Sequence, residues 1–222
     1  MMDILDSIVK FFQEGGAFMY PVLFAFAIGG AIALERYIKL TYVRHVNRRI
    51  WNRVQPTLAS GGFEEARSMI DDDTTEISSV LRIGLENQGM HRRREDIELA
   101  MEDNLRDIVP HLEKRTPYVA LFSNISTLLG LLGTIMGLIE AFTAVANANP
   151  SEKADLLSAS ISVAMNTTAF GLMVAIPLLI VHANLTSRTS EIVDSLEMAS
   201  VKTLNLIADF AKRQADLATK SS

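Results

Sequence analysis

The sequence predicts an all-α membrane protein: three transmembrane helices, N-terminus outside and C-terminus inside, with a cytoplasmic helical bundle. Three observations predict it. First, the 222 residues are 49% hydrophobic and only 21% charged. Second, the charges leave three long uncharged windows, at 15–34, 116–139 and 156–187. A bilayer's hydrocarbon is about 30 Å thick and a spanning helix needs roughly 20 apolar residues, so each window is long enough. Third, Lys and Arg cluster at particular ends of those windows, and basic flanks mark the cytoplasmic side. This composition excludes a disordered chain, a fibre and an ordinary soluble enzyme. The absence of cysteine excludes a disulfide scaffold, a thiolate zinc site and a cysteine nucleophile.

Residues 1–14 carry Asp3, Asp6 and Glu14 against Lys10, which is not the positive start of a cleavable signal peptide. Leu5, Ile8, Val9 and Phe12 recur at helical spacing, so this stretch reads as an amphipathic helix on the periplasmic membrane surface. Residues 15–35 form the first span. Its Phe18, Tyr20, Phe24 and Phe26 suit a lipid-facing helix. Arg36, Lys39, Arg44, Arg48, Arg49 and Arg53 follow, with no acidic residue from 36 to 63. This basic run places 36–115 in the cytoplasm. Arg36, Lys39, Arg44, Arg48 and Arg49 are expected to meet anionic lipid headgroups, at roughly 1 kcal/mol per charge.

The 36–115 segment is too long for a connector. Ile97, Met101, Leu105, Ile108 and Leu112 make an apolar helical stripe, while Gly61, Gly62, Asp71–Asp73 and Gly89 read as turns. HRRRED at 91–96 mixes arginine with acids and reads as a solvated helix face, so no nucleic acid is expected. The second span covers 116–141. The loop 142–155 is acid-rich and periplasmic, the third span covers 156–187, and 188–222 is a cytoplasmic helical tail. With no Gly or Pro after Pro177, the third span should continue into that tail as one helix. Ile192, Leu196, Ala199, Thr203, Leu206 and Phe210 give the tail a heptad-like seam.

No enzyme machinery is legible. His45, His91, His111 and His182 lack metal-ligand spacing, and there is no phosphate loop or nucleophile elbow, so no metal or cofactor is expected. The spans are more informative. Ser123, Thr127, Gly130, Thr134 and Gly137 share a face of the second, with Ser126 and Gly133 flanking it. Ser160, Ala164, Thr168, Gly171 and Ala175 do the same in the third, beside Asn166 and Thr167. Small residues and hydroxyls at this spacing serve close helix packing, which the pattern alone favours by about two to one. The competing reading is a weakly polar pore or a groove for another helix, toward which Asn166-Thr167-Thr168 near mid-span points. No Asp, Glu, Lys or Arg lies within the windows. Proton relays in membranes normally use a buried carboxylate, so here it would have to come from another chain.

LGLLGTIMGLIEAF at 129–142 and NTTAFGLMVAIPLLIVHANL at 166–185, with ALER at 33–36, resemble the ExbB/TolQ/MotA family of proton-driven motor subunits. The three-span layout is similar to the ExbB and TolQ branches, more ExbB than TolQ. The resemblance implies a homopentamer around a dimer of an ExbD/TolR-like single-span partner that supplies a membrane Asp. It also implies a TonB-like client and the inner membrane of a Gram-negative bacterium. By resemblance Thr134 and Thr168 are the pore threonines, with Thr167 and Asn166 shaping the same region. Gly130, Gly133, Gly137 and Gly171 remain packing positions. One departure is Val163, where ExbB-type sequences often carry Glu. The implied function is use of the proton gradient to energise TonB-dependent transport across the outer membrane. A TolQ-like role in envelope integrity and division, and a non-conducting membrane scaffold, are the rivals. A solute transporter is weaker, because three spans without repeats give little for alternating access.

Overall fold

A computed structural model describes residues 11–12, 15–88 and 93–220. The surface helix expected over 1–14 lies outside the described residues apart from Phe11 and Phe12, as do Gly89 and His91. Among the described residues the chain is helical, with no strand. Its helices are α1 (Met19–Ala59), α2 (Phe63–Ser68), α3 (Glu76–Gln88), α4 (Arg94–Glu113), α5 (Thr116–Asn147) and α6 (Lys153–Lys220). Three helical stretches, in α1, α5 and α6, are long and apolar enough to cross a membrane. The chain divides into two compact units, Met1–Arg36 with Arg115–Leu185, and Tyr37–Lys114 with Thr186–Ser222. The divisions fall within a few residues of the charged ends of the uncharged windows.

In the first unit, α1 buries Met19, Val22, Ala25, Gly29 and Ala33 at three- and four-residue steps. The opposite face leaves Tyr20 66%, Phe24 68% and Leu34 63% exposed. Exposed aromatic and leucine surface of this extent marks a contact face for lipid or another protein rather than for water. A Cβ at Gly29 would stand 3.0 Å from Cβ of Phe122, so glycine sets the approach of α1 to α5. The helical path breaks at Arg115, whose φ of 70° is left-handed. Pro117 follows in the first turn of α5, where its missing N–H costs nothing. Arg115 donates to Glu35 Oε2 at 3.1 Å.

In the second unit, α4 buries Ile97, Met101, Leu105 and Leu112, with Ile108 half-buried. The seam of α6 is Ile192, Leu196, Ala199, Thr203, Leu204 and Ile207; Leu206 and Phe210 stand at its edge, half-buried. Sequence spacing continued the heptad through 206 and 210, whereas a straight helix at 3.6 residues per turn drifts off a strict seven-residue repeat. The Asp71–Asp73 turn is held by one side chain: Arg82 Nη2 donates to the carbonyls of Ile70, Asp71 and Asp73 at 2.8–2.9 Å.

Gly61 is the turn between α1 and α2. Its φ is +85°, and a Cβ there would stand 2.2 Å from the Phe210 ring, which itself meets Phe63 edge-on at 5.3 Å. Gly61→Ala should therefore lower stability by about 1–3 kcal/mol from backbone strain and ring displacement together. Thermal unfolding of the purified chain checks this, and an unchanged midpoint would refute the account.

A candidate hydroxyl site between α5 and α6

The site is built from the glycines upward. A Cβ on Gly171 would lie 2.7 Å from the Ser126 carbonyl oxygen and 3.0 Å from Gly130 Cα. A Cβ on Gly130 would lie 3.2 Å from Gly171 Cα and 3.3 Å from Thr168 Cα. The two backbones thus touch with no side chain between them, as small residues permit in apolar helix pairs. The pattern extends both ways. Gly133 faces the Thr167 methyl, and a Cβ on Gly137 would meet Ala164 Cβ at 2.9 Å. Ser123, at the other end, donates across the seam to the Ala175 carbonyl at 2.7 Å.

Contact this close lets side chains of one helix reach the backbone of the other. Thr168 Oγ1 donates to the Gly130 carbonyl at 3.0 Å. Thr134 Oγ1 lies 3.3 Å from the same carbonyl and 3.2 Å from the Ala164 carbonyl. The two hydroxyls also hydrogen-bond each other. Each hydroxyl owns one hydrogen and two lone pairs. Two hydrogens therefore serve four hydrogen-bond contacts, and the pair can exchange donor and acceptor roles by rotation. Both side chains are half-buried, and no titratable group belongs to the cluster. Such a pair can solvate and align a charge or a water, but cannot itself hold charge near neutral pH.

Thr167 and Asn166 stand differently. Thr167 is 2% exposed, and its hydroxyl lies 2.5 Å from the Gly15 carbonyl and 3.0 Å from that of Val163. Its hydroxyl is thus engaged with backbone, tying α6 to the chain just before α1. Asn166 is half-buried one position earlier. Val163 lies against Gly16, whose Cβ would be 3.1 Å from Val163 Cγ1. Thr127, grouped with the small-residue face by spacing, is exposed.

The cations expected at lipid headgroups are corrected at one position. Arg36 is 1% exposed and cannot present its guanidinium to a headgroup. The reason is helical phase: Ala33, Arg36, Leu40, Val43 and Asn47 are all buried and follow at steps of 3, 4, 3 and 4, so position 36 falls on the inward stripe of α1. Lys39, Arg44, Arg48 and Arg49 are exposed. Arg44 pairs with Glu191 at 3.0 Å, and Arg49 Nη2 lies 3.4 Å from His45 Nε2. Spacing also gave no hint of the Glu35–Arg115 pair; both residues sit at window ends, the one signal that could have matched them. Among the described residues no cluster of His, Asp or Glu is arranged to hold a metal.

The chain is 27% identical over 203 residues to a biopolymer transport protein ExbB homologue of Methanothermobacter thermautotrophicus, covering 89% of this chain and 70% of that one. It is 49% identical over 59 residues to biopolymer transport protein exbB1 of Vibrio cholerae, covering 27% of this chain and 26% of that one. It is 32% identical over 84 residues to the Tol-Pal system protein TolQ of Haemophilus influenzae, covering 38% and 36%. The alignment thus spans only about a quarter to a third of the latter two. The profile of the MotA/TolQ/ExbB proton channel family matches residues 72–198, from α3 through the hydroxyl pair to the tail, and the chain belongs to that family.

Proposed function

We propose that this chain is the ring-forming subunit of a proton-driven motor in a Gram-negative inner membrane. It would be a homopentamer, N-terminus outside and C-terminus inside, around a dimer of an ExbD/TolR-like single-span partner. The observation that carries this reading is the Thr134–Thr168 hydroxyl pair within two uncharged windows, 116–139 and 156–187, that contain no carboxylate of their own. A hydroxyl pair needs a titrating partner to move protons, and a partner Asp supplies one. Thr134 and Thr168 would hydrogen-bond that Asp or its water, with Asn166 shaping the approach and Thr167 holding the helix in place. Gly130, Gly133, Gly137 and Gly171 would keep the two spans in contact. Lys39, Arg48 and Arg49 would meet anionic headgroups. Proton flow would then energise a TonB-like protein and, through it, transport across the outer membrane.

A second reading, a TolQ-like subunit serving envelope integrity, is favoured by the similarity to TolQ. The membrane machinery would be the same and the client different. Native mass spectrometry on the tagged protein, gently extracted from its own membranes, tests the shared core of both readings. The expected species is a pentamer carrying two copies of a small single-span protein. A bare oligomer, even on co-expression with candidate partners, would point to a scaffold instead.

A further inference from the structure

Two polar groups stand open on the outer faces of the first unit's spans. The first is a backbone carbonyl. Pro177 lies inside α6 and has no N–H, so the Met173 carbonyl, four residues earlier, loses its helical donor. Both residues are exposed, on the face that also carries Ile176 and Ile180. The second group is the exposed side chain of Asn124 on α5. It sits about 12 Å inside the 116–139 window. Thr127, one turn further on, bonds the Ser123 carbonyl of its own helix at 3.3 Å. The Asn124 carboxamide has no partner among the described residues. A carbonyl or amide left unmet in hydrocarbon is costly, so neither face is built for lipid alone.

The helix register sets the level of the two groups. Gly130 meets Gly171 and Gly137 meets Ala164, so α5 and α6 run antiparallel, residue for residue. Six residues from the Gly130–Gly171 contact, toward the basic ends of both windows, Asn124 stands level with Pro177. The bond from Ser123 to the Ala175 carbonyl holds the register there. The Met173 carbonyl points along α6 toward Pro177, within about one turn of that level. Copies inserted with one topology keep every residue at one depth. We infer that the Asn124 carboxamide of one copy donates its N–H to the Met173 carbonyl of the neighbouring copy. Donor and acceptor lie on different helices, so each copy gives one bond and takes one, a head-to-tail contact that can close into a ring. The occupant of each face is a second copy because the same sequence carries a spare donor and an acceptor short of one at the same depth. The side chains around both groups are exposed and apolar, Leu128 and Leu131 on α5 and Ile176 and Ile180 on α6, and are covered by the same contact. This inference rests on the ring reading for its neighbours in one orientation and does not involve the Thr134–Thr168 pair.

The test uses the full chain in its own membranes. It has no cysteine, so copies with Asn124→Cys, co-expressed with copies carrying Met173→Cys, can be oxidised without background. A disulfide-linked dimer is expected from the mixture and from neither copy alone, since bridging needs Cα atoms within about 7 Å. Leu132→Cys, about 12 Å from Asn124 in depth, should not link to Met173→Cys. In detergent, Asn124→Leu should raise the apparent dissociation constant between copies about three- to tenfold. Pro177→Ala supplies the missing N–H, and in that background Asn124→Leu should no longer weaken association. The oxidation result carries the test if Pro177→Ala does not assemble. A persistent oligomer without the 124–173 link would overturn the inference and leave the ring reading standing, whereas a chain that stays monomeric would overturn both. An unchanged constant in Asn124→Leu, or equal weakening with and without Pro177→Ala, would also overturn it.

Discussion

Thr168→Val is expected to leave the protein folded and assembled while cutting proton-driven output by about tenfold to a hundredfold. The range follows from losing one hydrogen bond to a charged group, about 1.5–3 kcal/mol, expressed as a rate. Valine keeps the branched shape against Gly130, so helix contact survives. Only the Thr168 hydroxyl's bonds to the Gly130 carbonyl and to Thr134 disappear. Thr134 retains the Ala164 carbonyl at 3.2 Å, which limits the structural cost to that of one neutral hydrogen bond, about 1 kcal/mol. The measurement is proton flux in liposomes containing the chain with its co-purifying partner, beside thermal unfolding of the same samples. Thr168→Ser, which restores the hydroxyl, should recover most of the flux. Unchanged flux in Thr168→Val would return the residue to a packing role, and dissociation of the oligomer would leave the proton-path reading unsupported.

The largest effect on the fold itself is expected at Gly171. Any side chain there is driven into the Ser126 carbonyl and Gly130 Cα, both backbone atoms that cannot swing aside. Gly171→Ala should cost about 1–3 kcal/mol by overpacking, and Gly171→Leu should prevent α5 and α6 from closing at all. Gly30 provides the internal comparison: nothing lies within 4 Å of its missing Cβ, so Gly30→Ala should be neutral or stabilising by about 0.5–1 kcal/mol through helix propensity. Yield and melting temperature in detergent distinguish the two sites. Equal tolerance at 30 and 171 would show that backbone contact is not what holds the spans together.

These two sites also show what could be read in advance. Span number and helical class were legible because charge is nearly absent for 20 or more residues in each window, a signal that needs no knowledge of neighbours. The inward edge of α5 was only half legible. Ser123, Gly130 and Gly137 belong both to the face inferred from spacing, with Thr127 and Thr134, and to the face actually closed, with Ser126 and Gly133. One helix in isolation cannot say which side of a seven-residue repeat its neighbour will cover. Arg36 and Asn47 escaped for a related reason. Both are polar residues on an inward stripe, and a pattern that sorts residues by polarity places them outside. The pairing of Glu35 with Arg115, 80 residues apart, is set by how the first and second spans pack.

The shared hydrogens of Thr134 and Thr168 have one more consequence, best put in dielectric terms. Two hydroxyls with interchangeable donor roles form a small dipole that can be turned without moving a heavy atom. Most of a helix interior is rigidly polarised, its peptide dipoles fixed along the axis. At this one level of α5 and α6 the protein is locally soft to a field. A charge arriving beside the pair would be met by reorientation when negative and by the opposite reorientation when neutralised, so the same two side chains can stabilise both members of a titrating couple.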